Sequence, residues 1–180
     1  MAETLEGDVH LTPHLQLAIR MLQGNHHEML EWVQEALRGN PALCWRQPAT
    51  VAKVDAQVRL GEAGELSLLL ADEGSLSVST EADVDESERR RAEWLVSAAA
   101  RRRRSIERLL LAIMDHQRAF LCGREAEPAK LSHRVLAAEL GYHRSTIERL
   151  VRGKSLQILR PEEPPVELEL GSLASDDPAI

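Results

Sequence analysis

Aromatic residues are scarce in this chain. One Phe, one Tyr and three Trp make up 3% of 180 residues, and since each aromatic side chain buries roughly 150–250 Å², a large compact core is not expected. Cysteine is scarcer still. Cys44 and Cys122 lie far apart without metal-ligand spacing, so neither a disulfide framework nor a zinc site is expected, and the thiols read as reduced and cytoplasmic. No apolar run approaches the roughly 20 residues of a membrane span, and the acidic N-terminus does not have the form of a signal peptide. A phosphate-cradling glycine loop and a nucleophile elbow are both missing. His10, His14, His116, His133 and His143 are scattered, and His26-His27-Glu28 cannot converge on a metal from one helix because adjacent residues point in different directions. An enzyme is therefore not expected, nor a cofactor, a metal or a small-molecule substrate.

What is present is an uneven charge. The formal net charge of −7 argues on its own against nucleic acid, but residues 101–160 carry 14 Lys+Arg against 6 Asp+Glu, a net of +8 that leaves −15 on the remainder. A local basic block is the electrostatic footprint that matters for DNA.

Within that block, Leu131 to Gln157 reads as two short helices around a tight turn. Ser132 is a suitable N-cap, and Val135, Leu136 and Leu140 recur at helical spacing. Gly141 stands where the first helix must stop and where a left-handed backbone is favoured. Ile147, Leu150 and Val151 form the buried stripe of the second helix. Ala137, Gly141 and Ile147 have the spacing of a helix-turn-helix. The outward side of the second helix carries His143, Arg144, Ser145, Thr146, Glu148, Arg149 and Arg152, with Lys154 just beyond. Hydroxyls and guanidinium groups in that position suit phosphates and base edges in a major groove. An ordinary helical hairpin with a polar outer face shares the pattern.

The rest of the chain supplies four further pieces. Residues 1–10 are expected to fray. Two helices follow over residues 11–43, started by Thr12 and Pro13, broken at Gly24-Asn25 and stopped at Gly39-Asn40-Pro41; Leu15, Ile19 and Leu22, then Leu30, Val33 and Leu37, form their stripes. Each is near the length at which an isolated helix is marginal in water, so the pair must dock on the chain itself or on a partner. Residues 51–80 alternate apolar and polar side chains around glycine turns, which predicts two or three short strands. From Glu86 to Leu121 the pattern is helical without Gly or Pro, with Leu95, Ala98, Arg102, Ile106, Leu109, Ile113, Gln117 and Phe120 along one side. Arg101, Arg102, Arg103 and Arg104 encircle that helix, so part of the run is expected to face solvent or phosphate. Residues 160–180 are proline-rich with 6 acids and 1 base, an expected disordered tail that would shield the basic block electrostatically.

These residues carry a family likeness. Leu11-Thr-Pro-His-Leu-Gln-Leu-Ala-Ile-Arg-Met-Leu-Gln23, with Gln34-Glu-Ala-Leu and Asn40-Pro-Ala-Leu43, resembles the N-terminal regulatory region of the sigma-54 class of bacterial RNA polymerase sigma factors. Trp94-Leu95, Arg101 to Arg104, Ile113, Gln117 and Phe120 resemble its extra-long helix, and His143, Ser145-Thr146-Ile147, Arg149, Lys154 and Gln157 its helix-turn-helix. Residues 51–80 are similar to the β-rich end of its core-binding domain. The resemblance implies promoter DNA, the RNA polymerase core and AAA+ enhancer-binding activators as partners. It implies activator contacts by Leu15, Gln16, Ile19, Arg20, Leu22 and Gln23, DNA contacts by His143, Arg144, Ser145, Thr146, Arg149, Arg152 and Lys154, and phosphate or polymerase contacts by Arg101 to Arg104. The chain reads as a shortened, divergent member: most of the helical core-binding region would fall between Leu43 and Val51, the upstream-element-reading domain is replaced by the acidic tail, Glu148 replaces a small polar residue and Ser155 an aromatic one.

The expected fold is mainly α and elongated, built of modules: an activator-interacting-like helical region (1–47), a β-rich remnant (48–84), a long helix with its helix-turn-helix (85–158) and the tail (159–180). The expected function is that of a sigma-54-like transcription initiation factor or regulator. The alternative is a truncated decoy or anti-activator that binds polymerase or activator without reading a promoter; a remnant without strong partners is the third reading.

Overall fold

Most helices begin at a residue whose side chain accepts the otherwise orphaned backbone N–H groups of the first turn, each such cap contributing about 1 kcal/mol. Residues 12–80 and 83–176 are described by the structure, a computed structural model; residues 1–11, 81–82 and 177–180, and with them the expected fraying of residues 1–10 and the end of the tail, lie outside the described residues. Helix α1 (Pro13–Gln23) starts at Thr12, whose hydroxyl accepts from Leu15 N–H at 3.3 Å. Helix α2 (His26–Gly39) starts with a reciprocal capping box, Asn25 accepting from Glu28 N–H at 3.0 Å and the Glu28 carboxylate from Asn25 N–H at 2.9 Å. Asp85 accepts from Ser87 and Glu88 N–H at the head of helix α3 (Glu86–His116).

Helix α3 runs 31 residues, about 46 Å at 1.5 Å per residue. Its inner stripe is the one the spacing predicts: Leu95, Ala98, Arg102, Ile106, Leu109, Ile113 and Gln117 are all buried. It stops short of Leu121 at Gln117, whose side chain turns inward, donating to the carbonyls of Ala129 (2.8 Å) and Leu173 (2.7 Å) and accepting from Ala129 N–H (2.7 Å). The chain then resumes in the short helix α4 (Arg118–Leu121).

Strands lie against the long helix. Strand β1 (Leu43–Arg46) pairs antiparallel with β4 (Ser75–Val78), with Leu43 opposite Val78. A four-stranded sheet has the order β3-β2-β5-β6, formed by β2 (Ala56–Leu60), β3 (Leu66–Leu70), β5 (Ser155–Leu159) and β6 (Val166–Glu169). The β2 and β3 strands make the expected hairpin. Strands β2 and β5 run parallel with Ala56 opposite Leu156 and Val58 opposite Ile158, the helical segments forming the crossover between them. These four side chains share a core with Ile106, Leu109, Leu110 and Ile113 of α3 and with Leu136, Ile147 and Leu150.

Three expectations are corrected. The fold is mainly α as expected, with two small sheets, but its pieces share cores around α3 instead of standing apart as elongated modules. The tail is not disordered over its described part. Val166 and Leu168 alternate on β6, and Leu170, Leu173 and Ala174 are buried in the main core, so apolar alternation outweighs the acids and prolines around it. The two N-terminal helices are joined as predicted at Gly24-Asn25, but α1 packs on α3 and on the helix beginning at Arg144, while α2 packs on β1. This docking turns Leu15 outward, 48% exposed, and buries Met21 instead.

Candidate nucleic-acid interface

The tight turn after Leu140 sets this site. Helix α5 (His133–Leu140) ends at Gly141, whose φ of 69° and ψ of 32° are left-handed, and Tyr142 N–H returns to Ala137 O at 3.0 Å. Helix α6 (Arg144–Val151) then starts with the His143 imidazole as its cap, Nδ1 accepting from Ser145 N–H at 3.3 Å. Ile147, Leu150 and Val151 are buried against Leu136 and Ala137. A correction falls at Val135, read as part of the inner stripe, which is 46% exposed. The long helix braces the turn: the Arg108 guanidinium lies 5.2 Å from the Tyr142 ring centroid and donates to Leu140 O at 3.1 Å. The geometry is that of two short helices about a left-handed turn, carried on a rod.

With the inner face filled, His143, Arg144, Glu148 and Arg152 are exposed on the outer face of α6, and Ser145, Thr146 and Arg149 are half-buried there. The carboxylate of Glu148 pairs with Arg152 one turn on, at 2.7 Å, so its charge is partly offset. Arg144 is bound by Asp176. Of the arginine run on α3, Arg101, Arg103 and Arg104 are exposed.

Two expected contact residues are instead internal. Lys154 has 0% exposure. Its ammonium donates to Leu22 O (2.9 Å) and Gln23 O (3.2 Å), the last carbonyls of α1, so its charge complements that helix terminus. Burial, and then the neighbouring Arg102, push its pKa down to about 8. Arg102 is 2% exposed and donates to Met21 O (2.6 Å), Gly24 O (2.8 Å) and the Glu73 carboxylate. Both leave the set of groups available to DNA or polymerase, because an ammonium or guanidinium held by buried carbonyls cannot also reach a phosphate. Asp55 completes this polar knot, accepting from His26 N–H at 2.6 Å and Ser155 N–H at 2.8 Å. The His26 imidazole beside it is buried with neither ring nitrogen hydrogen-bonded, and burial holds its pKa below the ordinary value.

On the N-terminal helices, Leu15, Gln16 and Arg20 face outward, Ile19 and Gln23 are half-buried, and Leu22 packs on the main core. Arg20 covers the Trp32 ring at 5.4 Å. Behind them a groove of about 460 Å³ runs between α1, α2 and α3, with Leu17, Met21 and Trp32 in its lining and Arg38 and Arg91 at its edge.

Comparison with known families now gives two matches. The model described as "Sigma-54, DNA binding domain" matches residues 83–161, which hold α3, α5, α6 and β5. The model described as "Sigma-54 factor, Activator interacting domain (AID)" matches residues 4–44. The chain belongs to the sigma-54 factor family. A search of curated proteins finds no match. Family membership makes the chain a transcription initiation factor in class and not an enzyme, with promoter DNA, the polymerase core and enhancer-binding activators as the partners of the sigma-54 class. Among the described residues no helix is long and apolar enough to cross a membrane. The unmatched stretch between the two models, residues 45–82, supplies β2, β3 and β4 and the acids Asp55 and Glu73 that tie the matched parts together.

Proposed function

We propose that this sigma-54 protein binds promoter DNA through α5 and α6, in the cytoplasm, with α6 in the major groove. His143, Arg144, Ser145, Thr146, Arg149 and Arg152 make the contacts. The observation that carries this reading is the seating of α6: its apolar stripe is spent on α5, α1 and α3, and its polar stripe faces away from the chain's own core. Ser145 and Thr146 lie in the first turn, where hydroxyls and backbone N–H groups meet phosphate and base edges. Arg101, Arg103 and Arg104 add a basic flank on the rod for DNA backbone or polymerase. Leu15, Gln16, Ile19 and Arg20 form the activator-facing side of α1, above the arginine-edged groove.

The test is fluorescence anisotropy on a sigma-54-type promoter duplex across about 50–200 mM salt. Each neutralised phosphate contributes a slope of about −0.9 in log K against log salt, so four engaged cations give a slope near −3 to −4. Binding that ignores salt overturns the proposal. A second reading, a decoy that engages activator or polymerase without reading a promoter, draws support from the internal use of Lys154 and from the Asp176 carboxylate on Arg144. That reading is favoured if residues 12–40 capture an activator ATPase while promoter and scrambled duplexes bind alike.

A further inference from the structure

The last described residues cross the heads of the two short helices. The Ser175 N–H donates to Leu131 O at 3.0 Å, and the Ala174 carbonyl lies 3.0 Å from His133 Nε2. A carbonyl only accepts, so Nε2 carries the proton. Asp176 ends this strap with both oxygens engaged. Oδ1 accepts from His133 N–H at 2.9 Å; Oδ2 accepts from Arg144 Nε–H and lies 3.5 Å from His133 Nδ1. Burial pushes the Asp176 carboxyl up, but Arg144 and His133 outweigh it and hold the group below its ordinary value. The group is an anion at neutral pH.

We infer that Asp176 is an affinity-setting residue that competes with the DNA backbone for Arg144 at the head of α6. The inference rests on the reading that the α6 face takes DNA. A phosphodiester approaching that face meets a guanidinium already committed to a carboxylate, and it meets the carboxylate's own charge. Binding then requires Arg144 to leave Asp176, or proceeds without Arg144. Because the Arg144 side chain is 64% exposed, solvent screens the pair and the contact breaks readily. Asp176 therefore tunes affinity and does not block the site. At α6, among the described residues, the predicted shielding of the basic block by the acidic tail thus takes the form of one carboxylate on one arginine, while Glu163 pairs with Arg160 elsewhere.

The experiment compares Kd on one promoter duplex at fixed low salt for the full chain, Asp176→Asn, Asp176→Ser, Arg144→Ala, Arg144→Ala/Asp176→Asn, and Glu167→Gln. Asn retains an acceptor for His133 N–H, and circular dichroism confirms the fold; Asp176→Ser is the second variant should Asn disturb it. Glu167 is exposed on β6, and its change removes the same unit of charge. The expected result is a three- to tenfold tightening by Asp176→Asn, less than twofold by Glu167→Gln, and loss of the Asp176→Asn gain when Arg144 is absent; these sizes follow roughly from a screened ion pair plus one fewer repelling charge. DNA binding with no gain from Asp176→Asn, or with the same gain in the Arg144→Ala background, overturns the inference alone. Failure of every variant to bind DNA overturns the α6 reading and this inference with it.

Discussion

Replacing Lys154 by Met separates the two roles a basic residue at the end of a helix-turn-helix can have. Methionine keeps the length of the apolar stem and removes the ammonium. Leu22 O and Gln23 O then lose donors at 2.9 and 3.2 Å, and each buried carbonyl left unsatisfied costs about 1–3 kcal/mol. The favourable charge at the α1 C-terminus, worth about 0.3–1 kcal/mol or somewhat more when buried, is lost as well. Relief from desolvating a cation works in the opposite direction. The balance is a destabilisation of about 2–4 kcal/mol, and at about 2–4 °C per kcal/mol for a chain of this size the Tm falls by roughly 5–15 °C. Thermal melts measure the global effect. Hydrogen exchange measures the local one, which should be concentrated in α1, since that helix loses one of the two cations that hold its C-terminal end, Arg102 being the other. A Tm within about 2 °C of the parent, with α1 protection unchanged and DNA affinity reduced, would refute this reasoning and restore Lys154 to the DNA interface.

The same residue sets a pH dependence. Its folded pKa of about 8 lies below the ordinary 10.5, so between those values the unfolded chain binds more protons and stability rises with pH; below about 8 both states are protonated and the contribution is flat. Urea unfolding from pH 7.5 to 10 should show a rise, up to about 3 kcal/mol at the top of the window, that is missing in Lys154→Met. At Gly141 no atom stands within 4 Å of an added Cβ, so Gly141→Ala should cost only its left-handed strain, about 1–2 kcal/mol, and Gly141→Asn less than Ala; equal stabilities in urea would contradict a left-handed turn.

Local patterns were legible in the sequence, and long-range partners were not. The α3 stripe could be read through Arg102 and Gln117 because burial follows helical spacing whatever the residue type. What holds Arg102 and Gln117 could not be read: the carbonyls of Met21, Gly24, Ala129 and Leu173 become partners only once the chain has folded. Lys154 sits 132 residues from Leu22, and nothing in its neighbourhood distinguishes a buried helix-capping lysine from one that meets phosphate. Asp176, 32 residues from Arg144, had no signal beyond the acidity of its segment. Strands β5 and β6 do alternate, yet Leu156 and Ile158 follow closely on α6, and Val166 and Leu168 lie among prolines and glutamates. Leu15 and Val135 fit an apolar stripe by spacing, but the side on which α1 and α5 dock decides against them.

The central claim is that α6 reads sequence while the rod's arginines hold backbone. The most direct measurement is the ratio of Kd values for scrambled and sigma-54-type promoter duplexes at one salt concentration, taken for the parent chain, Arg149→Ala and Arg101→Ala. Arg149→Ala should lower the ratio by about tenfold, the value of one base-edge contact, whereas Arg101→Ala should weaken both duplexes alike and leave the ratio unchanged. A parent chain that binds both duplexes equally, or a ratio that Arg101→Ala alters and Arg149→Ala does not, would contradict the account.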